Sequence, residues 1–269
     1  MLDTARLKRA AERREGWNPS PRTRISSRRG GRRARGTARN AEHGHCAPGM
    51  SHPWYMLRIE RQRRHLMIGA IAGDIIGSPY EGRSRNIRTT SFPLFGPSSR
   101  FTDDSVLTVA IADALIHRTP FARKLKEYFE YYPHAGYGGA FSKWARRPRA
   151  GPYGSWGNGS AMRVSPIGFA FDSIEEVLEV AAESAAVTHD HPEGVKGAQA
   201  VAAAIFLARR GSGAGEIRDF IEDAFGYDLS EPLESIRSWY AREFTDISCQ
   251  GSVPQAIIAF LESRDFEDA

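Results

Sequence analysis

The 269 residues, 41% hydrophobic and 26% charged, suffice for one sizeable core or two small domains of ordinary composition. Two cysteines, Cys46 and Cys249, exclude a disulfide framework and point to a reducing, cytoplasmic setting. No run approaches the roughly 18 consecutive apolar residues of a membrane helix. An apolar signal core is also missing near Met1, so neither a membrane span nor a secretory leader is expected.

The net charge of +5 is unevenly divided. Of the 37 Lys+Arg and 32 Asp+Glu, 17 and 5 lie in residues 1–66, which leaves residues 67–269 acidic. The basic balance therefore gives no argument for nucleic-acid binding by the later part of the chain. Residues 1–66, with an Arg/Gly/Ser-rich run from Arg22 to Arg39, cannot bury enough apolar surface to offset their ordering entropy. Three readings fit this arm: a basic segment for nucleic acid or a membrane surface, an organelle transit peptide, or translation that really starts at Met56 or Met67. His43, His45 and Cys46 lack a spaced fourth ligand, and chance explains such a cluster more simply than a metal site.

From Met67 the pattern is that of helices joined by Gly/Pro-rich loops. Met67 to Ile76 is small and apolar, as a tightly packed buried helix would be. Asp103 to His117 carries apolar residues at 106, 107, 110, 111, 114 and 115, the face of a helix, with Thr102 or Asp103 at its N-cap. Phe121 to Tyr132 is a shorter helix, stopped by Pro133. Ile174 to Ala186 repeats the helical spacing, and Pro192 to Arg210 is Ala-rich and closed by Gly211. Ile217 to Ala224 and Val253 to Leu261 follow. Without a convincing alternating strand, residues 67–269 read as one all-α domain with long functional loops.

Four constellations carry chemistry. Phe101-Thr102-Asp103-Asp104-Ser105 places two acids and a hydroxyl at a helix start; one acid suffices for capping, and the second also suits a hard cation. In Gly69 to Glu81, the glycines Gly69, Gly73 and Gly77 stand four apart, as close helix packing would require. Glu81 follows Pro79 on a loop, where a carboxylate is either solvated or catalytic. Tyr153 to Arg163 is Gly-rich and opens a helix, which suits either a phosphate or a set of turns. In Thr188-His189-Asp190-His191-Pro192, histidines two apart do not share a helix face. A single His against a ligand fits better than a His–His metal site.

As an ordered set, these motifs resemble the ADP-ribosylglycohydrolase family, of the dinitrogenase-reductase-activating type, over Met67 to Ala269. The resemblance implies a compact helical fold around two divalent cations, Mg²⁺ or Mn²⁺. Thr102, Asp103 and Asp104 would be metal ligands. Glu81 would be a ligand or acid/base, and Glu81 or Asp103 would assist proton transfer. Gly157, Asn158, Gly159, Ser160, Ala161, Met162 and Arg163 would cradle the diphosphate of ADP-ribose, and His189 would line the pocket. The partner would be an ADP-ribosylated protein or an ADP-ribose-containing small molecule.

The family's late Gly-Gly-Asp-x-Asp motif is not found, although Ser248 to Gln255 resembles the stretch before it. Two expectations follow: little hydrolysis by this polypeptide, and an apolar face at Ile257, Ile258 and Leu261 open to water. An ADP-ribose-binding protein without catalysis is the alternative.

Overall fold

The computed structural model describes residues 68–81, 91–240 and 246–269. The basic arm, with His43, His45 and Cys46, lies outside the described residues. Ten α-helices occur in order among those described. They are α1 Ile68–Gly77, α2 Asp103–His117, α3 Phe121–Tyr131, α4 Gly139–Ala145, α5 Ser165–Ala170, α6 Ile174–Ala186, α7 Pro192–Arg209, α8 Ala214–Phe225, α9 Leu233–Tyr240 and α10 Cys249–Glu262. Short 3-10 turns cover Ser78–Tyr80 and Asn158–Ser160. Among these residues there is no β-strand, only an isolated antiparallel bridge between Gly157 and Ser248. None of the helices is long and apolar enough to cross a membrane.

The all-α expectation holds, and α7 explains how the bundle closes. It packs against α5, α6, α8, α10 and the Asn158–Ser160 turn. Its buried positions include Gly194, Gly197, Ala198, Ala200, Ala202, Ala203 and Ala204, so it is covered on nearly every side. Small side chains let five neighbours approach one helix. At Gly197 a Cβ would lie 2.5 Å from Cys249 Sγ, closer than real side chains tolerate. Gly197→Val is therefore expected to destabilise the fold by about 3 kcal/mol through overpacking. That corresponds to a fall of roughly 5–10 °C in the thermal midpoint, read by circular dichroism; an unchanged midpoint would refute this account of the α7–α10 packing.

Three expectations change. The helix α1 is not buried all round: Asp74 is its one buried residue among those described, and a Cβ at Gly73 or Gly77 would meet nothing within 4 Å. Close helix approach falls instead at Gly168 and Gly197, and Gly194 meets the loop residues Ser155 and His189. The expected water-facing stripe of α10 is inside, with Ile257 4% exposed, Ile258 2% and Leu261 9%. Packing of α10 against α7, α8 and α9 covers it. Finally, α10 begins at Cys249, not Val253. Ser248 accepts from Gly251 N and starts the helix, and Pro254 is carried inside it.

Candidate functional site

The acidic end of α2 is built by a residue from another helix. The first amides of any helix lack internal partners. Here Asp74 of α1 supplies them: its carboxylate accepts from Thr102 N at 2.8 Å and Ser105 N at 3.1 Å. It also accepts from the hydroxyls of Thr102, at 2.6 Å, and Ser105. Thr102 is the N-cap, as expected, its Oγ1 accepting from Asp104 N at 3.3 Å. Capping is thus carried by Asp74 and Thr102, and the side chains of Asp103 and Asp104 are released from it. Because Thr102 gives its proton to Asp74, its oxygen keeps a lone pair for a cation.

Asp103 is held from the other side by the loop after α3. Its amide donates to Ala135 O at 2.8 Å. Gly136, at φ +110°, is placed where a Cβ would sit 3.2 Å from Asp103 Oδ1. Ser78 Oγ accepts from Arg100 N at 3.0 Å, which ties the end of α1 to the segment leading into α2 and brings Glu81 toward the cluster.

The electrostatics reflect this crowding. Burial, then the nearby Glu81 and Asp74 charges, push the Asp103 carboxyl up to about 6, against a lowering by its backbone hydrogen bond. Asp104 is pushed up to about 7 by burial, then by Asp103, Asp74 and Glu81. Glu81 stays open to solvent on one side, yet partial burial and Asp74 raise it, with Arg100 opposing. Carboxylates crowded in a half-dry corner disfavour one another's ionisation, a repulsion that a hard cation would relieve. No three His, Cys, Asp or Glu side chains among the described residues converge as a ready-made metal centre. An ion here would complete its coordination with Thr102, water and substrate oxygens, as Mg²⁺ commonly does.

The glycine-rich loop runs beside this corner, joined to α2 where Thr108 Oγ1 donates to Met162 O at 3.4 Å. Asp190 accepts from Gly154 N at 2.7 Å and pins one end of the loop. The start of α10 pins its middle: Asn158 N donates to Ile247 O, Cys249 N to Trp156 O, and Asn158 Nδ2 to Ser252 Oγ at 3.1 Å. Ser160 Oγ donates to Gly194 O at 2.7 Å and fastens the far end to α7.

These bonds sort the loop's candidate binders. The amides of Gly157 and Asn158 are committed inside the protein, to Ser155 Oγ and Ile247 O. Among the described residues the Gly159 amide makes no bond outside the short turn and Gly159 is only half-buried, whereas Ser160 is fully buried. Ala161 is buried in the core, and Met162 is packed against it.

Arg163 departs from the expected diphosphate contact. It is fully buried, and its Nη2 donates to Ser184 O at 3.0 Å and Thr188 Oγ1 at 2.8 Å, behind the loop. Its Nη2 is spent on α6 and the segment after it, while Nε and Nη1 are buried without a hydrogen-bond partner among the described residues. His189, 5% exposed, stands against the loop: a Cβ on Gly159 would lie 3.0 Å from its Nε2. Tyr153 packs on the same imidazole, ring centroids 5.9 Å apart. His191 caps α7, its Nδ1 accepting from Glu193 N at 3.2 Å. The sequence reading left Asp74, Thr188 and Asp190 without roles. For Asp74 a signal existed, a lone acid in an otherwise small, apolar helix.

Residues 58–269 match the profile of the family described as ADP-ribosylglycohydrolase. The chain is 29% identical over 205 residues to bovine ADP-ribosylhydrolase ARH3, covering 64% of this chain and 55% of that protein. It is 28% identical over 208 residues to the human protein of that name, covering 64% and 57%. It therefore spans little more than half the length of those relatives. An uncharacterized protein of Archaeoglobus fulgidus is 28% identical over 259 residues, covering 78% and 80%. Among solved structures, one titled ADP-ribosylglycohydrolase-related protein complex superposes with a TM-score of 0.58 at 25% identity, covering 79% of each chain.

Proposed function

The chain belongs to the ADP-ribosylglycohydrolase family, and we propose that it takes part in hydrolysing the bond between the anomeric carbon of ADP-ribose and an acceptor. The acceptor is a protein side chain or a small molecule. The observation that carries this reading is the cap made by Asp74. With the first α2 amides satisfied by Asp74, Ala135 O and Thr102 Oγ1, two adjacent, partly buried carboxylates are not needed to cap the helix.

Thr102, Asp103 and Asp104 are the residues that would hold a Mg²⁺ or Mn²⁺ ion, with Glu81 beside them. A bound divalent cation supplies Lewis acidity and lowers the pKa of a coordinated water. The described donors support one ion; the pair implied by the family pattern would need further ligands. The chain's own residues do the rest. Gly159 and His189 orient the diphosphate and so place the ribose over the acidic corner. Glu81 or Asp103 takes a proton from the attacking water as the C1–acceptor bond breaks. The leaving acceptor receives a proton, and C1 keeps the hydroxyl.

The test has two readouts. Calorimetry with ADP-ribose should show binding. Release of ADP-ribose from arginine- or serine-linked peptides should require Mn²⁺ or Mg²⁺ and stop in EDTA. Turnover that is unaffected by EDTA would remove the metal assignment, and failure to bind ADP-ribose would remove the reading altogether. Binding without turnover would identify an ADP-ribose-binding protein.

A further inference from the structure

The buried Arg163 has no access to a ligand, and a fully buried guanidinium is costly unless it has a task. Its Nη2 donates to Thr188 Oγ1 at 2.8 Å, and Thr188 Oγ1 lies 2.7 Å from His189 Nδ1. Arginine can only donate, so Thr188 accepts from it. The threonine's own hydrogen then has one acceptor among the described residues, His189 Nδ1. With the reverse polarity, an imidazole N–H donating to Thr188, the threonine hydrogen would be left without a partner in a fully buried position. His189 Nδ1 is therefore the unprotonated nitrogen, and the ring proton sits on Nε2.

Nε2 faces the loop. It lies against Gly159, where an added Cβ would come within 3.0 Å of it, and near Gly157, where an added Cβ would lie 4.0 Å away. No hydrogen bond among the described residues engages it. We propose that Arg163 and Thr188 are positioning residues that fix His189 as a neutral imidazole with its proton on Nε2, aimed as a donor at a phosphate oxygen of ADP-ribose beside Gly159. This rests on the ADP-ribose reading above. Burial, and next the Arg163 charge, hold the imidazole down at about 3, so the ring stays neutral across the working range. The neutral donor also avoids placing a second cation next to Arg163, which a charged histidine would do.

The experiment combines tautomer and affinity. In ¹⁵N-histidine-labelled, ligand-free protein, long-range ¹H–¹⁵N correlation should give His189 an unprotonated Nδ1 and a protonated Nε2. His189→Asn assigns the signal. Thr188→Val should abolish that tautomer preference and weaken ADP-ribose binding at least tenfold, while Thr188→Ser restores both. A wild-type His189 with its proton on Nδ1 would overturn the proposal. So would a folded Thr188→Val that keeps the Nε2–H tautomer and full affinity, or a folded Thr188→Ser that restores neither. If Thr188→Val does not fold, the wild-type spectrum and Thr188→Ser still decide. The spectrum needs no ligand, so failure of the relay and failure of ADP-ribose binding are separately visible.

Discussion

Gly159→Val is expected to lower ADP-ribose affinity by at least about 100-fold while leaving helix content unchanged. A Cβ at this position would lie 3.0 Å from Nε2 and 3.1 Å from Cε1 of His189. The ring is clamped through Thr188 and packed on Tyr153, so it has little freedom to yield. The valine would occupy the space between the imidazole donor and the Gly159 amide. Loss of one hydrogen bond to a charged group is worth about 1.5–3 kcal/mol, and about 1.4 kcal/mol is tenfold in affinity. Exclusion of the phosphate would remove more than one such bond. The loop's anchors at Asp190, Ile247 and Gly194 do not involve this side chain, so the fold should survive. Calorimetry and far-ultraviolet circular dichroism on the same preparation decide; unchanged affinity would show that the phosphate does not approach here.

A second large effect concerns pH and divalent metal. In EDTA the thermal midpoint should fall as pH rises from about 4.5 to about 7.5. The sign follows from the direction of the shifts. Asp103 and Asp104 bind protons more tightly in the folded protein, with values raised from 3.8 to about 6 and about 7. The folded state therefore gains nothing from their ionisation. Stability is greatest while both are protonated, declines as pH rises above the unfolded value, and levels off above the folded ones. After allowance for solvent on one side of the cluster, the dependence amounts to on the order of 3 kcal/mol. That is roughly 5–10 °C for a domain of this size. Millimolar Mn²⁺ should reverse most of the loss at pH 7.5, because a cation binds the ionised pair. Asp104→Asn should raise the metal-free midpoint at that pH and weaken the Mn²⁺ response. A midpoint flat across the range in EDTA, or indifferent to Mn²⁺, would show that these carboxylates neither repel one another nor hold a cation.

The sequence was most legible where local chemistry is sufficient. The bounds of α2 and α6, Asp103–His117 and Ile174–Ala186, agree with the periodic pattern. Each begins after a hydroxyl side chain that accepts from the helix, Thr102 and Ser173, and each carries two acids in its first turn. The close of α7 near Gly211 was equally local. The short helices α4 and α9, of seven and eight residues, were not read, and α5, of six, only as a helix opened by the glycine-rich run, without bounds. Two turns give too few positions to distinguish one face from another, and such helices persist because neighbours cover them.

The four motifs were visible one by one in the sequence, with the residue types that a cation, a phosphate and a hydrogen-bonding imidazole require. Their division of labour was not. Asp74 and Thr102 are 28 residues apart, and only the packing of α1 on α2 makes one cap the other and so frees Asp103 and Asp104. Arg163 belongs to the glycine loop in sequence but points inward, where burial and the oxygens of Ser184 and Thr188 claim it. A linear pattern records which groups can donate, accept or ionise. Which of them keeps a free valence for a ligand depends on what the fold has already satisfied, because a buried polar group binds the nearest partner available.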